Sequence, residues 1–190
     1  MERAIIISKN QKASEYFEKF LIAHKIRDIT LVSSSARARR EISERNFDLA
    51  IIVSPLSDEV GSALAKELAL LPELQVMFFA KEELLAEGES ELLAFGIITQ
   101  SIPISRAGMM QAYKLALAFS HKMKIIISKT RDLQSKLKEI KKVDLAKCYL
   151  IEMDNISEEE AHKRIEKLAM DKRKTKLQIS IEIIEKYQLK

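Results

Sequence analysis

An apolar repeat with alternating three- and four-residue spacing constrains this sequence most strongly. Its members are Met109, Ala112, Ala116, Phe119, Met123, Ile126, Thr130, Leu133, Leu137 and Ile140. No proline or glycine occurs after Gly108, so nothing in the sequence interrupts a helix there. A narrow stripe of 3.5-residue period needs a partner helix, because it cannot be buried alone. We therefore predict a helical connector over residues 109–142 that forms a parallel coiled-coil homodimer through the nine members other than Thr130.

An alternative is that this helix packs back on its own domain. Leu115, Ile125 and Ile127 widen the apolar stripe beyond the seam. A wide stripe is typical of a helix that covers a protein core. The sequence leaves this alternative open.

Residues 1–120 alternate short apolar runs with helical segments. The predicted strands are Ala4–Ile7, Ile29–Val32, Leu49–Val53, Val76–Phe79 and Ile97–Thr99. The predicted helices between them are Gln11–His24, Ala36–Arg45, Asp58–Leu70 and Lys81–Ala94. Strands that alternate with helices indicate a parallel sheet covered on both faces through right-handed crossovers. We predict an α/β domain with the flavodoxin-like strand order.

This pattern resembles a response-regulator receiver domain. The resemblance implies a phosphorylated aspartate at the end of the third strand and an acidic pair after the first strand that holds Mg²⁺. It also implies a hydroxyl after the fourth strand and a lysine before a proline after the fifth. The corresponding residues here are Ser8, Lys9, Val53, Ala80 and Ile102. Since Val53 cannot accept a phosphoryl group and Lys9 is positive where a cation should bind, we predict a pseudo-receiver.

Asp48 and Asp58 become phosphorylation candidates only if the alignment shifts by a few residues. Both are interpreted as structural, because Asp48 opens a strand and Asp58 stands where a helix cap is needed. The four glycines form no phosphate-binding loop of common spacing. The single cysteine and the histidines show no metal-ligand spacing. We predict no enzyme activity, no cofactor and no metal site.

The C-terminal tail from Val143 to Tyr187 is predicted to form three short helices. Ser157 and Glu160 have the spacing of a capping box. Behind this cap, Ala161, Ile165, Leu168 and Ala169 recur on one helical face. The segment 177–183 alternates apolar and polar residues, and by periodicity alone this pattern is typical of a strand.

Several residues of the tail resemble the ANTAR domain, named for amidase and nitrate antitermination regulators. They are Ala146, Lys147, Ala161, Leu168, Ala169, Met170, Asp171, Arg173, Leu177, Ile179, Ser180, Ile183 and Ile184. Cys148, Ile151 and Ile140 depart from the residues usual in the family. The resemblance implies an all-α, three-helix domain over residues 128–190, with a helix over 177–183. It also implies binding to paired hairpins in leader transcripts, which prevents a terminator from forming.

Positive charge concentrates in the same part of the chain. Residues 121–190 hold 18 Lys and Arg against 12 Asp and Glu, whereas residues 1–120 hold 14 against 16. This distribution indicates an anionic partner for the C-terminal region. The predicted RNA contacts are Lys147, Arg164, Lys167, Lys172, Arg173, Lys174 and Lys176, of which Lys147 and Arg173 lie at family motif positions.

We therefore predict a cytoplasmic, dimeric, RNA-binding antitermination regulator. One cysteine and the lack of a signal segment or a long apolar run are consistent with that location. Three alternatives stay open: a protein-interaction module, a duplex-DNA regulator and, more distantly, a flavodoxin-like enzyme. If phosphorylation is absent, a regulatory protein or a small ligand at the pseudo-receiver would have to supply the signal.

Overall fold

The computed structural model describes residues 2–188, the last of these by its backbone only. The chain forms two compact units, Met1–Ile127 and Ser128–Lys190. None of the helices within residues 2–188 combines the length and apolarity that crossing a membrane requires.

The first unit is built on a five-stranded parallel sheet. Its strands are β1 (Arg3–Ser8), β2 (Asp28–Val32), β3 (Leu49–Val53), β4 (Gln75–Ala80) and β5 (Ile98–Ser101), in the order β2-β1-β3-β4-β5. β1 pairs with both β2 and β3, so the strand order reverses beside it. The predicted α/β, flavodoxin-like domain is confirmed.

Residues 2–188 contain eight helices, the last two of which lie in the second unit. They are α1 (Gln11–Ala23), α2 (Ser35–Glu44), α3 (Ser62–Ala69), α4 (Glu82–Ala86), α5 (Glu89–Ala94), α6 (Arg106–Asp154), α7 (Glu158–Lys172) and α8 (Lys176–Gln188). The 49-residue α6 begins in the first unit and ends in the second. The continuous helix predicted from the lack of proline and glycine is therefore present.

Two predicted helices have different bounds because of glycine. The helix expected from Asp58 begins only at Ser62, since Gly61 adopts φ 97°, a left-handed conformation that cannot continue a right-handed helix. The helix expected over residues 81–94 is divided into α4 and α5 at Gly88.

Two apolar clusters cover the faces of the sheet. One includes Ile5, Ile52 and Phe78 and packs against residues of α2 to α5. The other includes Ile6 and Phe79 and packs against α1 and the start of α6. Alternate residues of each central strand therefore enter opposite cores, which explains why β3 is apolar throughout.

The start of α6 corrects part of the dimer prediction. Met109, Ala112 and Ala116 are at most 1% exposed, because they lie in the second cluster of their own domain. They cannot be dimer contacts, and the alternative of a helix packed on its own domain is correct for this segment. The rest of the seam is exposed by 37–61%: Phe119, Met123, Ile126, Leu133, Leu137 and Ile140. Dimerisation through these six residues stays a prediction.

The second unit has its own core between the end of α6, α7 and α8. Ala146, Ala161 and Ala169 contribute small side chains, which let the helices approach closely, while Ile165 and Ile179 fill the centre. The segment 177–183 is helical, as the family resemblance implies, and the strand pattern is overridden by packing. Three helices are present, but the first is the end of α6 rather than a separate short helix.

Candidate nucleic-acid interface

The capping box predicted at the start of α7 is present and sets the polarity of this helix. Ser157 Oγ accepts from the N–H of Glu160, and the Glu160 carboxylate accepts from the N–H of Ser157. Three glutamates occupy the first turn and Lys172 the last, an arrangement that complements the helix dipole. Positive charge is thus placed at the C-terminal end of α7.

A tight turn carries this charge from α7 into α8. The side chain of Thr175 accepts from the N–H of Gln178 at 3.2 Å, and that of Gln178 accepts from the N–H of Thr175 at 3.0 Å. This reciprocal pair fixes the start of α8. We refer to residues 172–176, all of which are lysine or arginine except Thr175, as the basic turn.

Glu182 neutralises part of the basic turn. Its carboxylate accepts hydrogen bonds from Lys172 Nζ, at 2.7 Å, and from Lys174 Nζ. These two bonds hold the pKa of Glu182 at about 2, so the carboxylate is ionised at neutral pH. Lys172 and Lys174 are half-exposed and already have an anionic partner within the chain.

Two further predicted contacts are held by acids in the same way. Lys176 Nζ donates to Glu166 at 2.6 Å and lowers the pKa of that carboxyl. Arg164 donates to Asp154, the last residue of α6, which also accepts from Tyr187 Oη at 2.8 Å. Asp154 therefore joins all three helices, with its pKa lowered first by the Tyr187 hydroxyl and then by Arg164.

Lys147 is the least accessible of the predicted contacts. Its side chain is 16% exposed and pairs with Asp144 at 2.9 Å and Glu158 at 3.2 Å. Hydrogen bonds to these two carboxylates raise the pKa of Lys147. The residue links α6 to the first turn of α7, which is a structural reason for a lysine at this position.

Lys167 and Arg173 differ from the other five, because neither has an ion pair within residues 2–188. Both are exposed. Arg173 caps the C-terminus of α7 with φ 52°, and its N–H donates to carbonyls of the last turn. Glycine is favoured at such a left-handed cap, and any other residue is strained there.

The aromatic residues of this unit offer little for base stacking. Tyr149 and Tyr187 stack on each other with ring centroids 6.3 Å apart. Tyr187 is only 8% exposed. The surface is therefore suited to phosphate neutralisation rather than to stacking of splayed bases.

Sequence reasoning missed the acidic partners of these cations. Glu182 lies ten residues after Lys172, and Glu166 lies ten residues before Lys176. These pairs join separate helices, and only helical neighbours three or four residues apart are visible in a sequence.

In the first unit, the five receiver positions lie where their strands end. Val53 and Ala80 are buried, and the Ser8 hydroxyl accepts from the N–H of Asn10 at 3.1 Å. Lys9 and Ile102 follow the ends of β1 and β5. No carboxylate occupies any of the five positions.

Asp48 and Asp58 have structural hydrogen bonds. Asp48 Oδ2 accepts from the N–H groups of Glu2 and Arg3, and its other oxygen pairs with Lys124. Burial opposes ionisation of Asp48, but these bonds together lower its pKa. Within residues 2–188, no three His, Cys, Asp or Glu side chains are grouped closely enough to hold a metal ion.

Asp58 caps α2 rather than the helix that follows it. It accepts from Ser35 Oγ at 2.6 Å and from the N–H groups of Ser35 and Ala36 at 2.8 and 3.1 Å. The bonds from Ser35 hold the pKa of Asp58 at about 2. The structural interpretation of Asp58 therefore holds, but the expected cap of the following helix is wrong, because Gly61 is the N-cap of α3 and Asp58 instead supplements Ser34, the N-cap of α2.

Comparison with known proteins shows what each unit is similar to. Residues 131–184 match the model of the ANTAR domain. The first unit is similar to a CheY-like receiver domain from Methylobacillus flagellatus, with 23% sequence identity and a TM-score of 0.51. The matched region covers 61% of this chain and 98% of that one. A response regulator receiver domain protein from Clostridium thermocellum has a TM-score of 0.55, with 15% identity, 66% of this chain covered and 99% of that one.

A third solved structure is described as an adenylate cyclase from Rhodopirellula baltica. It is 13% identical, with a TM-score of 0.59 over 70% of this chain and 97% of that one. At these identities the likenesses establish the fold alone. No curated protein matches the chain. The chain thus combines a receiver fold with an ANTAR domain at residues 131–184.

Proposed function

We propose that this chain is a dimeric, RNA-binding transcription antitermination regulator whose receiver-like domain is not phosphorylated. The match of residues 131–184 to the ANTAR domain carries the proposal. The domain is named for antitermination regulators, and its basic surface suits the anionic backbone of folded RNA.

Lys167 and Arg173 are the principal RNA contacts in this proposal. Both are exposed and without an ion pair in the described part of the chain, so binding a phosphate displaces no internal carboxylate. Arginine also offers two parallel donors to a phosphate. Lys172, Lys174 and Lys176 join them after exchanging Glu182 or Glu166 for phosphate, whereas Arg164 and Lys147 contribute mainly through their charge.

The exposed part of α6 supplies the dimer contact. Phe119, Leu133 and Leu137 are 45%, 61% and 56% exposed and recur at seam spacing. A narrow apolar stripe of this kind is buried when two copies pair. A dimer presents two ANTAR domains, and the second hairpin of a paired leader then binds at a raised effective concentration.

The receiver-like unit acts as a pseudo-receiver in this proposal. Phosphoryl transfer needs a carboxylate nucleophile and oxygen ligands for Mg²⁺. Val53 and Lys9 supply neither, and the two alternative candidates, Asp48 and Asp58, accept hydrogen bonds from backbone N–H groups. A signal other than phosphorylation therefore controls the chain.

Mobility-shift assays with four nucleic acids test the binding part of the proposal. We expect a two-hairpin leader RNA to bind more tightly than a single hairpin, and both to bind more tightly than single-stranded RNA or duplex DNA. Preference for duplex DNA would favour a DNA-binding regulator. No binding to any nucleic acid would favour a protein-interaction module.

The variants Lys167→Ala and Arg173→Ala test the contacts. Each should weaken hairpin binding and flatten the dependence of log affinity on log salt by about 0.7–0.9 for each phosphate that is no longer neutralised. Lys19→Ala, on α1 in the first unit, removes the same charge and is the matched control. Equal effects of all three variants would assign the weaker binding to net charge rather than to direct contact.

A further inference from the structure

A cavity of about 390 Å³ opens at the edge of the sheet where receiver domains are phosphorylated. It is lined by residues that follow the ends of β1, β3, β4 and β5. The strand order reverses between β1 and β3, and open parallel sheets bind ligands in the crevice at such a switch point. The volume lies toward the lower end of the range for small-molecule sites.

The charged lining of this cavity is entirely positive. Lys9 follows β1 and Lys81 follows β4, and both line the cavity. Neither lysine has an ion pair within the described chain, and no carboxylate is among the lining residues. Since hard cations require oxygen ligands, this lining disfavours Mg²⁺ and favours an anion.

The start of α1 adds neutral donors beside Lys9. Asn10 caps this 13-residue helix by accepting from the N–H of Ala13 through Oδ1, which leaves its amide group able to donate. The first N–H groups of the helix have no partner within the helix, and the helix dipole favours an anion at this end.

Most of the remaining wall is apolar, with Tyr16 and Ser54 as its two hydroxyl-bearing residues. Phe17, Val53, Pro55, Ile102 and Ile104 line it. Phe17 is 2% exposed and packs against Phe79 with ring centroids 4.6 Å apart, so this side of the cavity is backed by the core of the domain. Such a wall would contribute little to binding inorganic phosphate, but it would stabilise an organic substituent.

We propose that this cavity binds a small organic anion, a carboxylate or a phosphate monoester with an apolar body. Lys9 and Lys81 neutralise its charged group, the start of α1 donates hydrogen bonds, and the apolar wall covers the remainder. The ligand occupies the place of the phosphoryl group and is the signal that this unit receives.

Titration of the full-length chain with four probes, followed by ¹H–¹⁵N spectra, tests the site. The probes are phenyl phosphate, phenylacetate, neutral phenylacetamide and inorganic phosphate. We expect at least one aromatic anion to saturate the chain and to shift the amides of residues 10–13 and 104. Phenylacetamide and inorganic phosphate should each bind about tenfold more weakly, because the first lacks the negative charge and the second lacks the apolar body. The stronger of the two aromatic anions distinguishes a phosphate site from a carboxylate site.

The variants Lys9→Gln and Lys81→Gln should each weaken binding of that anion several-fold. Lys19→Gln changes the same charge on α1 away from the cavity and should leave binding unchanged. Failure of both anions to saturate at millimolar concentration, equal binding of phenylacetamide, or no effect of Lys9→Gln and Lys81→Gln would overturn the proposal. The titration contains no RNA, so its failure leaves the proposed antitermination function standing.

Discussion

Lys172 Nζ donates to Glu182 Oε2 at 2.7 Å, which places an acid of α8 against a cation from the end of α7. The other carboxylate oxygen accepts from Lys174. Two of the proposed RNA contacts thus share one internal anion, and a phosphate must compete with it. In the proposed interface, the affinity of the basic turn for RNA therefore depends on this carboxylate as well as on the lysines.

Glu182→Gln is expected to tighten RNA binding. The neutral amide releases Lys172 and Lys174, so hairpin affinity should rise roughly two- to fivefold, with a steeper salt dependence. Mobility shifts at several salt concentrations measure both quantities. Glu185→Gln removes the same charge from α8, at a side chain without an ion pair in the described residues. This control should raise the hairpin affinity less than Glu182→Gln does. If both variants tighten binding equally, Glu182 has no special role.

Arg173→Gly is expected to separate stability from binding. Glycine relieves the strain of the φ 52° cap, so the variant should be more stable by about 1 kcal/mol while its RNA affinity falls. Arg173→Ala keeps the strained conformation and should lower affinity without the gain in stability. Urea denaturation and mobility shifts measure the two effects. A stable glycine variant with unchanged affinity would remove Arg173 from the interface.

Leu137→Glu is expected to yield a monomer. Leu137 is 56% exposed on the α6 seam, and a charge there opposes burial against a second copy. The fold of each unit should persist, because the side chain is outside all three cores. Ser135→Glu adds the same charge on the face of α6 opposite the seam and should stay dimeric. Sedimentation equilibrium at micromolar concentration measures the mass of both variants. A monomeric wild type would contradict dimerisation through the seam.

Asp58→Asn is expected to remove an acid-dependent part of the stability of the first unit. The pKa of Asp58 is about 2 in the folded chain against an ordinary 3.8. Its contribution is therefore present above pH 3.8 and is lost as the pH falls toward 2. The difference in urea midpoint between wild type and Asp58→Asn should be largest at neutral pH and should shrink across that interval. A difference independent of pH would contradict the capping role.

The architecture was predictable because the period of the apolar residues and the positions of glycine determine which segments form strands and helices. The buried β3, the capping box at Ser157 and the uninterrupted α6 were all visible in the residues themselves. The apolar repeat could not show whether Met109 faces a second chain or its own core, since both environments select the same residues. Only the position of α6 on the sheet decides it.

The charged site was predictable only in part. An excess of lysine and arginine located the basic surface, but the partners of those cations come from other helices. The strained cap at Arg173 was equally hidden, because nothing in the sequence marks a left-handed arginine. Whether a given lysine or arginine is free to bind a phosphate therefore depends on the folded structure of the unit.

Single-round transcription tests the proposed function most directly. The template encodes a leader with two hairpins, the second overlapping a terminator, and the readout is the fraction of transcripts that pass it. Readthrough should rise with the concentration of the full chain. The rise should disappear with the double variant Lys167→Ala/Arg173→Ala or when the first hairpin is deleted. Unchanged readthrough at concentrations that saturate the leader RNA would contradict the proposed antitermination function.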